Sequence, residues 1–376
     1  MKTQGIKIVF TGGGTGGHVY PGLAVWEALS QQGNFQITWI GSKQSIEQAL
    51  VKETNIPFIG IPAGKFRREF SLKNITDMFR VVGGILASLY HIRRLQPHIL
   101  FSKGGFVSVP PVIAAALLGV PIVSHESDFD PGLATRLALP FAKKMMVPFP
   151  ESVDLYPVKH KNKILVTGNP VRQAILRGNP SVGRELLGFG TDKPILLVLG
   201  GSQGAWEINQ LVWSSLEELL KDFFVVHQVG GAHIQSPQLQ PLLTLPGYRA
   251  RGYFKEELPH ILAAASLVVS RAGAGTLWEL AALKKPMLLI PLRGSGTRGD
   301  QVRNARLFAA RGWASILEKT PITQGEFLST LRELATEPKR REIESRLEKL
   351  DVAGVANRIA QELKTLGEEH LCNGMD

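Results

Sequence analysis

The stretch Ile6-Lys7-Ile8-Val9-Phe10-Thr11-Gly12-Gly13-Gly14-Thr15-Gly16-Gly17-His18 decides the fold class. A short apolar run reads as a buried strand, and a glycine-rich turn then delivers the chain into a segment of helical period. Glycines let such a turn close tightly on a ligand, and the N–H groups at the helix start favour an anion. The pattern returns at Ile195–Leu199 followed by Gly200-Gly201-Ser202-Gln203-Gly204-Ala205. A third turn, Ser270-Arg271-Ala272-Gly273-Ala274-Gly275-Thr276, opens a segment carrying Glu279.

Outward from these turns, β-rich apolar runs alternate with amphipathic segments of helical length, the signature of parallel α/β units. Strands are expected at Ile6–Phe10, Gln36–Ile40, Ile99–Ser102, Pro121–Ser124 and Lys144–Val147 in the first half. In the second half they are expected at Ile195–Leu199, Phe224–Val229, Ser266–Ser270, Met287–Ile290 and Ala314–Leu317. Helices belong between them, at 18–31, 73–95, 204–220, 274–283 and 300–311. Two such runs imply two doubly wound, Rossmann-like parallel-sheet domains, over 1–165 and 166–340, whose glycine turns would face each other across a cleft. A helical tail over 341–376 follows and is free to return to the first domain.

Composition narrows the function classes. With 376 residues, 44% hydrophobic and 20% charged, the chain can bury sizeable cores. Its one cysteine, Cys372, excludes a disulfide framework and a thiolate metal cluster, and fits the reducing cytosol. The opening Met1–Phe10 is too short an apolar run for a signal peptide. The uncharged stretch Gly104–Ser124 is long enough to span a bilayer, yet Pro110, Pro111 and Pro121 make it a helix at 110–118 and a strand at 121–124. The net charge of +11 favours anionic partners. Aromatic residues are only 7% and interleave with no basic stripe, so nucleic acid is not expected.

Gly12, Gly14 and Gly17 also satisfy the dinucleotide pattern G-x-G-x-x-G. That pattern wants an acid at the end of the second strand, where this chain has Trp39-Ile40-Gly41-Ser42-Lys43. Ser42 and Lys43 would suit a 2′-phosphate, which keeps an NADP-dependent oxidoreductase as an alternative. A non-catalytic nucleotide-sugar or polyanion binder is a second alternative. A P-loop fails because no Gly-Lys-Ser/Thr follows the turn.

Further blocks carry a resemblance. They are Gly12–His18 with Pro21, Lys103-Gly104-Gly105-Phe106-Val107-Ser108, and His125-Glu126-Ser127-Asp128 with Pro131-Gly132-Leu133-Ala134. Gly168-Asn169-Pro170-Val171-Arg172, Gly200–Ala205, Ser270–Glu279 and Arg298-Gly299-Asp300-Gln301 with Asn304-Ala305 follow in order. Together they resemble the MurG family of N-acetylglucosaminyltransferases, which complete the lipid-linked peptidoglycan precursor. The resemblance implies a GT-B fold and an inverting transfer that uses no metal and no cofactor. The donor would be UDP-N-acetylglucosamine and the acceptor the C4 hydroxyl of undecaprenyl-diphospho-N-acetylmuramoyl-pentapeptide. The enzyme would sit peripherally on the cytoplasmic face of the inner membrane, and the family implies cell-wall assembly partners. Two positions depart from the better-known branch: Asp128 stands where many relatives carry Asn, and Phe106 replaces a Tyr.

Residue roles follow from the chemistry and the resemblance together. In-line displacement needs a base at the acceptor hydroxyl and a cation or N–H groups at the departing diphosphate. His18, with an ordinary pKa near 6.5, and Glu126 are the candidate bases. Arg172 suits the diphosphate because a guanidinium binds phosphate oxygens bidentately. Donor contacts are expected at Thr15, Gly16, Gly17, Asp128, Arg172, Ser202, Gly275 and Thr276. By resemblance, Glu279 would take the ribose and Gln301 the sugar hydroxyls. Gly13, Gly14, Gly104, Gly105 and Phe106 would form the acceptor diphosphate loops. Phe66, Phe70, Phe79 and Arg80, in and before an apolar helix with basic flanks, would meet anionic lipid.

Overall fold

The computed structural model of the chain describes residues 5–64, 72–201, 203–294 and 299–373. Phe66, Phe70, Ser202 and Arg298 lie outside the described residues. The chain divides into two compact units, one of Met1–Arg172 with Ala353–Asp376 and one of Gln173–Val352.

The first unit is built on β1 (Ile6–Thr11), β2 (Phe35–Ser42), β3 (Phe58–Ile61), β4 (Ile99–Ser102), β5 (Ile122–His125), β6 (Lys144–Val147) and β7 (Ile164–Val166). Their order in the sheet is β3-β2-β1-β4-β5-β6-β7, with every pair parallel. The order in which strands are added to the sheet reverses between β1 and β4, and ligands of doubly wound sheets bind beyond the strand ends at such a switch point. The register sets Thr11 opposite Ser102, so the first glycine turn and Lys103–Ser108 leave the sheet side by side.

The second unit repeats this plan with β8 (Ile195–Leu199), β9 (Phe224–Gln228), β10 (Tyr248–Arg251), β11 (Leu267–Ser270), β12 (Met287–Leu289) and β13 (Ser315–Ile316). The order β10-β9-β8-β11-β12-β13 is again all parallel. Leu199 pairs with Ser270, which brings the second glycine turn beside the third.

All ten expected strands form, and three more appear at sheet edges: β3, β7 and β10. The helix expected over 204–220 is two, Trp206–Ser214 and Leu216–Asp222, because Ser215 leaves helical geometry (φ −103°, ψ 1°). Alternate residues of β1 serve two cores. Ile8 and Phe10 face the helix Gly16–Ser30, whereas Val9 packs with Ile40, Leu100 and Val112 on the other side. The first face is completed by the helix Val355–Asn373, which inserts Val355, Ile359, Leu363 and Leu366 beside Ile6 and Ile99. The preceding helix, Glu337–Glu348, stays with the second unit.

No described helix is long and apolar enough to cross a membrane. The helix Leu72–Leu95 nevertheless exposes Met78, Phe79, Val82, Leu86 and Tyr90, spaced by about one turn along one side. Arg80, Arg93 and Arg94 are exposed on the same helix.

Candidate active site

At the first switch point the glycine turn is held from beneath. Trp39 Nε1 donates to the Gly12 carbonyl at 3.2 Å. The buried Glu47 carboxylate accepts the Gly14 N–H at 3.1 Å and the Ser42 N–H at 3.1 Å, and takes a short hydrogen bond from the Ser42 hydroxyl. A side chain at Gly13 would put its Cβ 2.5 Å from the Glu47 carboxyl carbon, so the turn must be glycine for this carboxylate to fit. Burial alone would raise the Glu47 pKa. The bonds from Ser42 and Gly14 outweigh it and leave the group below the usual carboxylate range.

This corrects the NADP alternative. Both donors of Ser42 are spent on Glu47, and a carboxylate stands where a 2′-phosphate would have to approach. Like charge and occupied donors both oppose that ligand.

His18 begins the helix that the turn opens. Its Nδ1 lies 3.0 Å from Thr15 Oγ1. A Cβ at Gly105 would be 3.2 Å from Nδ1, and one at Gly104 3.7 Å from Cδ2, so the imidazole lies along the Gly104–Gly105 backbone. Both glycines have positive φ (80° and 78°), which lets the chain approach the ring this closely. The Phe106 ring flanks Gly14 from the same loop. Thus His18, Thr15, Gly13, Gly14, Gly104, Gly105 and Phe106 are brought together.

Glu126 has a different environment. Its Oε1 accepts from the N–H of Ser127 (2.8 Å) and of Asp128 (3.2 Å), and its Oε2 from Gly132 N–H (2.9 Å) and Thr135 Oγ1 (2.6 Å). A carboxylate offers about four acceptor positions, so these bonds saturate it. It pins the loop 126–132 to the start of the helix Leu133–Ala138. Arg172 lies over the Tyr20 ring, 4.1 Å from the centroid, two residues beyond His18 on the helix.

In the second unit, Gln228 Nε2 donates to the Gly201 carbonyl at 3.1 Å, and Gln228 Oε1 accepts the Phe254 N–H at 3.1 Å. Gly204 (φ 79°) packs against the chain so closely that a Cβ would come 2.1 Å from the Val229 carbonyl oxygen. Beneath it, Asn209 Nδ2 donates to Val229 O at 2.9 Å, while Asn209 Oδ1 lies 3.0 Å from His227 Nε2. Burial pushes the His227 imidazole down to about 3, so it is neutral in this network. The third turn runs into the helix Ala274–Ala282, where Gly275, Thr276 and Glu279 are half-buried. Gln301 Oε1 accepts the Leu292 N–H at 2.9 Å, which leaves the amide nitrogen, a donor, as the group to offer a ligand.

The profile of the glycosyltransferase family 28 N-terminal domain matches residues 8–147, and that of the C-terminal domain matches residues 195–359. The chain belongs to glycosyltransferase family 28. Among its relatives is the UDP-N-acetylglucosamine--N-acetylmuramyl-(pentapeptide) pyrophosphoryl-undecaprenol N-acetylglucosamine transferase of Treponema denticola, 44% identical over 345 residues, covering 88% of each chain. A Bacillus cereus transferase of the same name, numbered 2, is 45% identical over 328 residues, covering 87% of this chain and 91% of its own. The crystal structure of Acinetobacter baumannii MurG superposes with a TM-score of 0.73 at 22% identity, covering 96% and 99% of the two chains. The two family 28 matches fall one on each doubly wound sheet, the first reaching through β6 and the second taking in β8 to β13, the GT-B plan of two Rossmann-like domains.

Within this family 28 chain, the glycine turns, His18, Glu126, Arg172, Glu279 and Gln301 were legible as candidates. Glu47, Trp39, Gln228 and Asn209 were not. One signal pointed to Glu47: it lies in the first turn of a helix capped by Ser45, where an acid has an electrostatic reason to be.

Proposed function

We propose that this chain is an N-acetylglucosaminyltransferase that moves N-acetylglucosamine from UDP-N-acetylglucosamine to the C4 hydroxyl of undecaprenyl-diphospho-N-acetylmuramoyl-pentapeptide, with inversion. Its family and the names borne by relatives at 44–45% identity support the donor and acceptor. One observation carries the mechanism: His18 lies between Thr15 Oγ1 and the Gly104–Gly105 backbone, at the mouth of the first turn.

The chemistry follows from that placement. In the tautomer whose Nδ1–H donates to Thr15 Oγ1, His18 Nε2 is the atom that takes the proton of the acceptor hydroxyl. The hydroxyl oxygen bonds to the anomeric carbon as the bond from that carbon to the diphosphate oxygen breaks, and UDP leaves with the electron pair. Glu126, saturated by four donors, shapes the acceptor loop instead of taking the proton. Gly104, Gly105 and Phe106 line the acceptor side with Gly13 and Gly14. On the donor side, the second and third turns with Thr276 receive the nucleotide. Glu279 accepts from the ribose hydroxyls and Gln301 donates to the sugar. Arg172 and the helix start at Gly16 and Gly17 supply positive potential for the diphosphate. No step here calls on a metal.

The exposed stripe Phe79, Val82, Leu86 and Tyr90, with Arg80, Arg93 and Arg94, supports peripheral binding to anionic lipid, where a polyprenyl acceptor resides. Cell-wall assembly partners belong to the same reading through the family. The test is UDP release with a soluble acceptor analogue in chelator-containing buffer. Acceptor-dependent release by the wild type, lost in Glu279→Ala and in His18→Ala, is expected. Donor binding without release in the wild type would leave only a nucleotide-sugar binder.

A further inference from the structure

Beneath the first glycine turn runs a lysine that the mechanism has not used. Lys103 follows β4 and is 1% exposed. Its N–H donates to the Thr11 carbonyl at 2.8 Å. Its stem packs so tightly below the turn that a Cβ at Gly12 would meet Lys103 Cβ at 2.8 Å. The tip reaches β5, where the ammonium donates to His125 Nδ1 and, at 2.9 Å, to Ser127 Oγ.

The hydrogen-bond directions are forced. Gly168 O can only accept, so His125 Nε2, 2.9 Å away, carries the hydrogen and Nδ1 holds the lone pair facing Lys103. Burial, then the Lys103 charge, hold the His125 pKa well below its usual value, in keeping with a neutral ring. Ser127 Oγ accepts from Lys103 and donates to Asn169 Oδ1 at 3.0 Å. Three residues beyond Asn169, Arg172 returns to Tyr20 on the helix of His18. The result is a closed ring of contacts: first turn, Lys103, the end of β5, the 168–172 segment, and back to the first helix.

A buried ammonium is an expensive way to fill this space. Burial pushes Lys103 down to about 7 against the opposing pull of Glu126 and Asp128, so its net effect on folding is unfavourable at neutral pH. An apolar side chain of the same length would serve packing better. What the apolar chain cannot do is donate to His125 and Ser127 at once.

We infer that Lys103 is a positioning residue for the transfer, its ammonium tying the loop 125–128, and through the bonds of His125 to Gly168 and of Ser127 to Asn169 the 168–172 segment, to the floor of the first glycine turn, so that His18 and the acceptor loops keep one geometry. The inference rests on the function proposed above. Lys103 itself touches no substrate in it.

The test uses the full chain with Lys103→Met, which keeps length and removes every donor, and Lys103→Gln, which keeps a neutral donor. Three quantities are read: melting temperature, UDP release with KM for donor and acceptor separately, and amide hydrogen exchange at 12–18, 104–106 and 126–132. For Lys103→Met the melting temperature should stay near that of the wild type, relief of the buried charge offsetting the donor lost to His125 Nδ1 and Ser127 Oγ. kcat/KM for the acceptor should fall roughly tenfold or more, since small misplacements of reacting groups cost that much. Donor KM should stay within about twofold of the wild type, exchange in the three loops should quicken, and Lys103→Gln should lie between the two. Unchanged acceptor kinetics and unchanged exchange would overturn the inference. So would a lower melting temperature with both KM values unchanged, which describes a residue that serves stability alone. If the wild type releases no UDP, the proposed function falls, while the exchange comparison still decides whether Lys103 ties the loops.

Discussion

The Glu47 carboxylate sits directly under the first glycine turn, with Oε2 accepting the Gly14 N–H at 3.1 Å. A turn of this kind would ordinarily offer that N–H to a ligand anion. Here the protein supplies the anion itself, and Gly14 is spent on shaping the turn. Glu47→Gln puts amide hydrogens where Ser42 and Gly14 also donate, so at least one buried donor loses its acceptor. The expected cost is about 1–3 kcal/mol in urea denaturation, with slower transfer. Equal stability and equal rate would remove Glu47 from this role.

His18→Ala should lower kcat roughly 100- to 10,000-fold, the usual range for a lost general base. UDP-N-acetylglucosamine affinity by calorimetry should barely change, because its main contacts are proposed in the second unit. Thr15→Val should lower kcat less, since it leaves the imidazole but not its orienting oxygen.

Glycines 204 and 275 make opposite predictions. A Cβ at Gly204 meets the Val229 carbonyl at 2.1 Å on a backbone with φ 79°, so Gly204→Ala should destabilise the second unit outright. Gly275 lies inside a helix with no atom within 4 Å of an added Cβ. Gly275→Ala should therefore gain about 0.5–1 kcal/mol in stability. Its KM for UDP-N-acetylglucosamine should rise, because the proposed function places the donor in the open space beside Gly275. An unchanged KM would move the donor elsewhere.

Acid should weaken the fold well above the carboxylate range. His227, pushed down to about 3 by burial, and His125, also depressed by burial, are neutral when folded but take up a proton near pH 6.5 once unfolded. Below about pH 6.5 the unfolded chain therefore binds more protons than the folded one, so stability falls as pH drops, by up to about 1.4 kcal/mol per pH unit for each histidine. Urea midpoints at pH 7, 6 and 5 check this. Glu47 acts lower on the scale: its depressed pKa adds stability that is lost only as pH falls through its folded value.

Phe79→Glu and Leu86→Glu alter side chains that are 68% and 62% exposed, so the fold should tolerate both. Binding to anionic vesicles should weaken about tenfold or more for each, given the apolar area withdrawn. Transfer to a short-chain soluble acceptor should stay as it was.

The sequence revealed the central strands because they are buried on both faces and read as unbroken apolar runs. β3, β7 and β10 escaped notice for the converse reason. They are sheet edges, and their short sequences mix in Gly60, the exposed Val166, and Arg249 with Arg251. The glycine turns were legible because their chemistry is local. Glu47 and the tip of Lys103 were not, because their partners at Gly14 and at His125 and Ser127 lie 33, 22 and 24 residues away. Only the sheet order makes those residues neighbours. The saturation of Glu126 was hidden likewise, since composition shows a carboxylate and not what already binds it.

The helix Val355–Asn373 has a bearing on how the chain is made. During synthesis the strands β1 and β4 emerge early, yet the face holding Ile6, Ile8 and Ile99 is covered only in part, by the helix Gly16–Ser30, until Ile359, Leu363 and Leu366 leave the ribosome. The intervening unit, Gln173–Val352, is contiguous and can close on its own while the older one waits. The first domain to be translated is thus the last to be finished, and a nascent chain arrested before residue 355 would carry an open, sticky sheet for chaperones to guard.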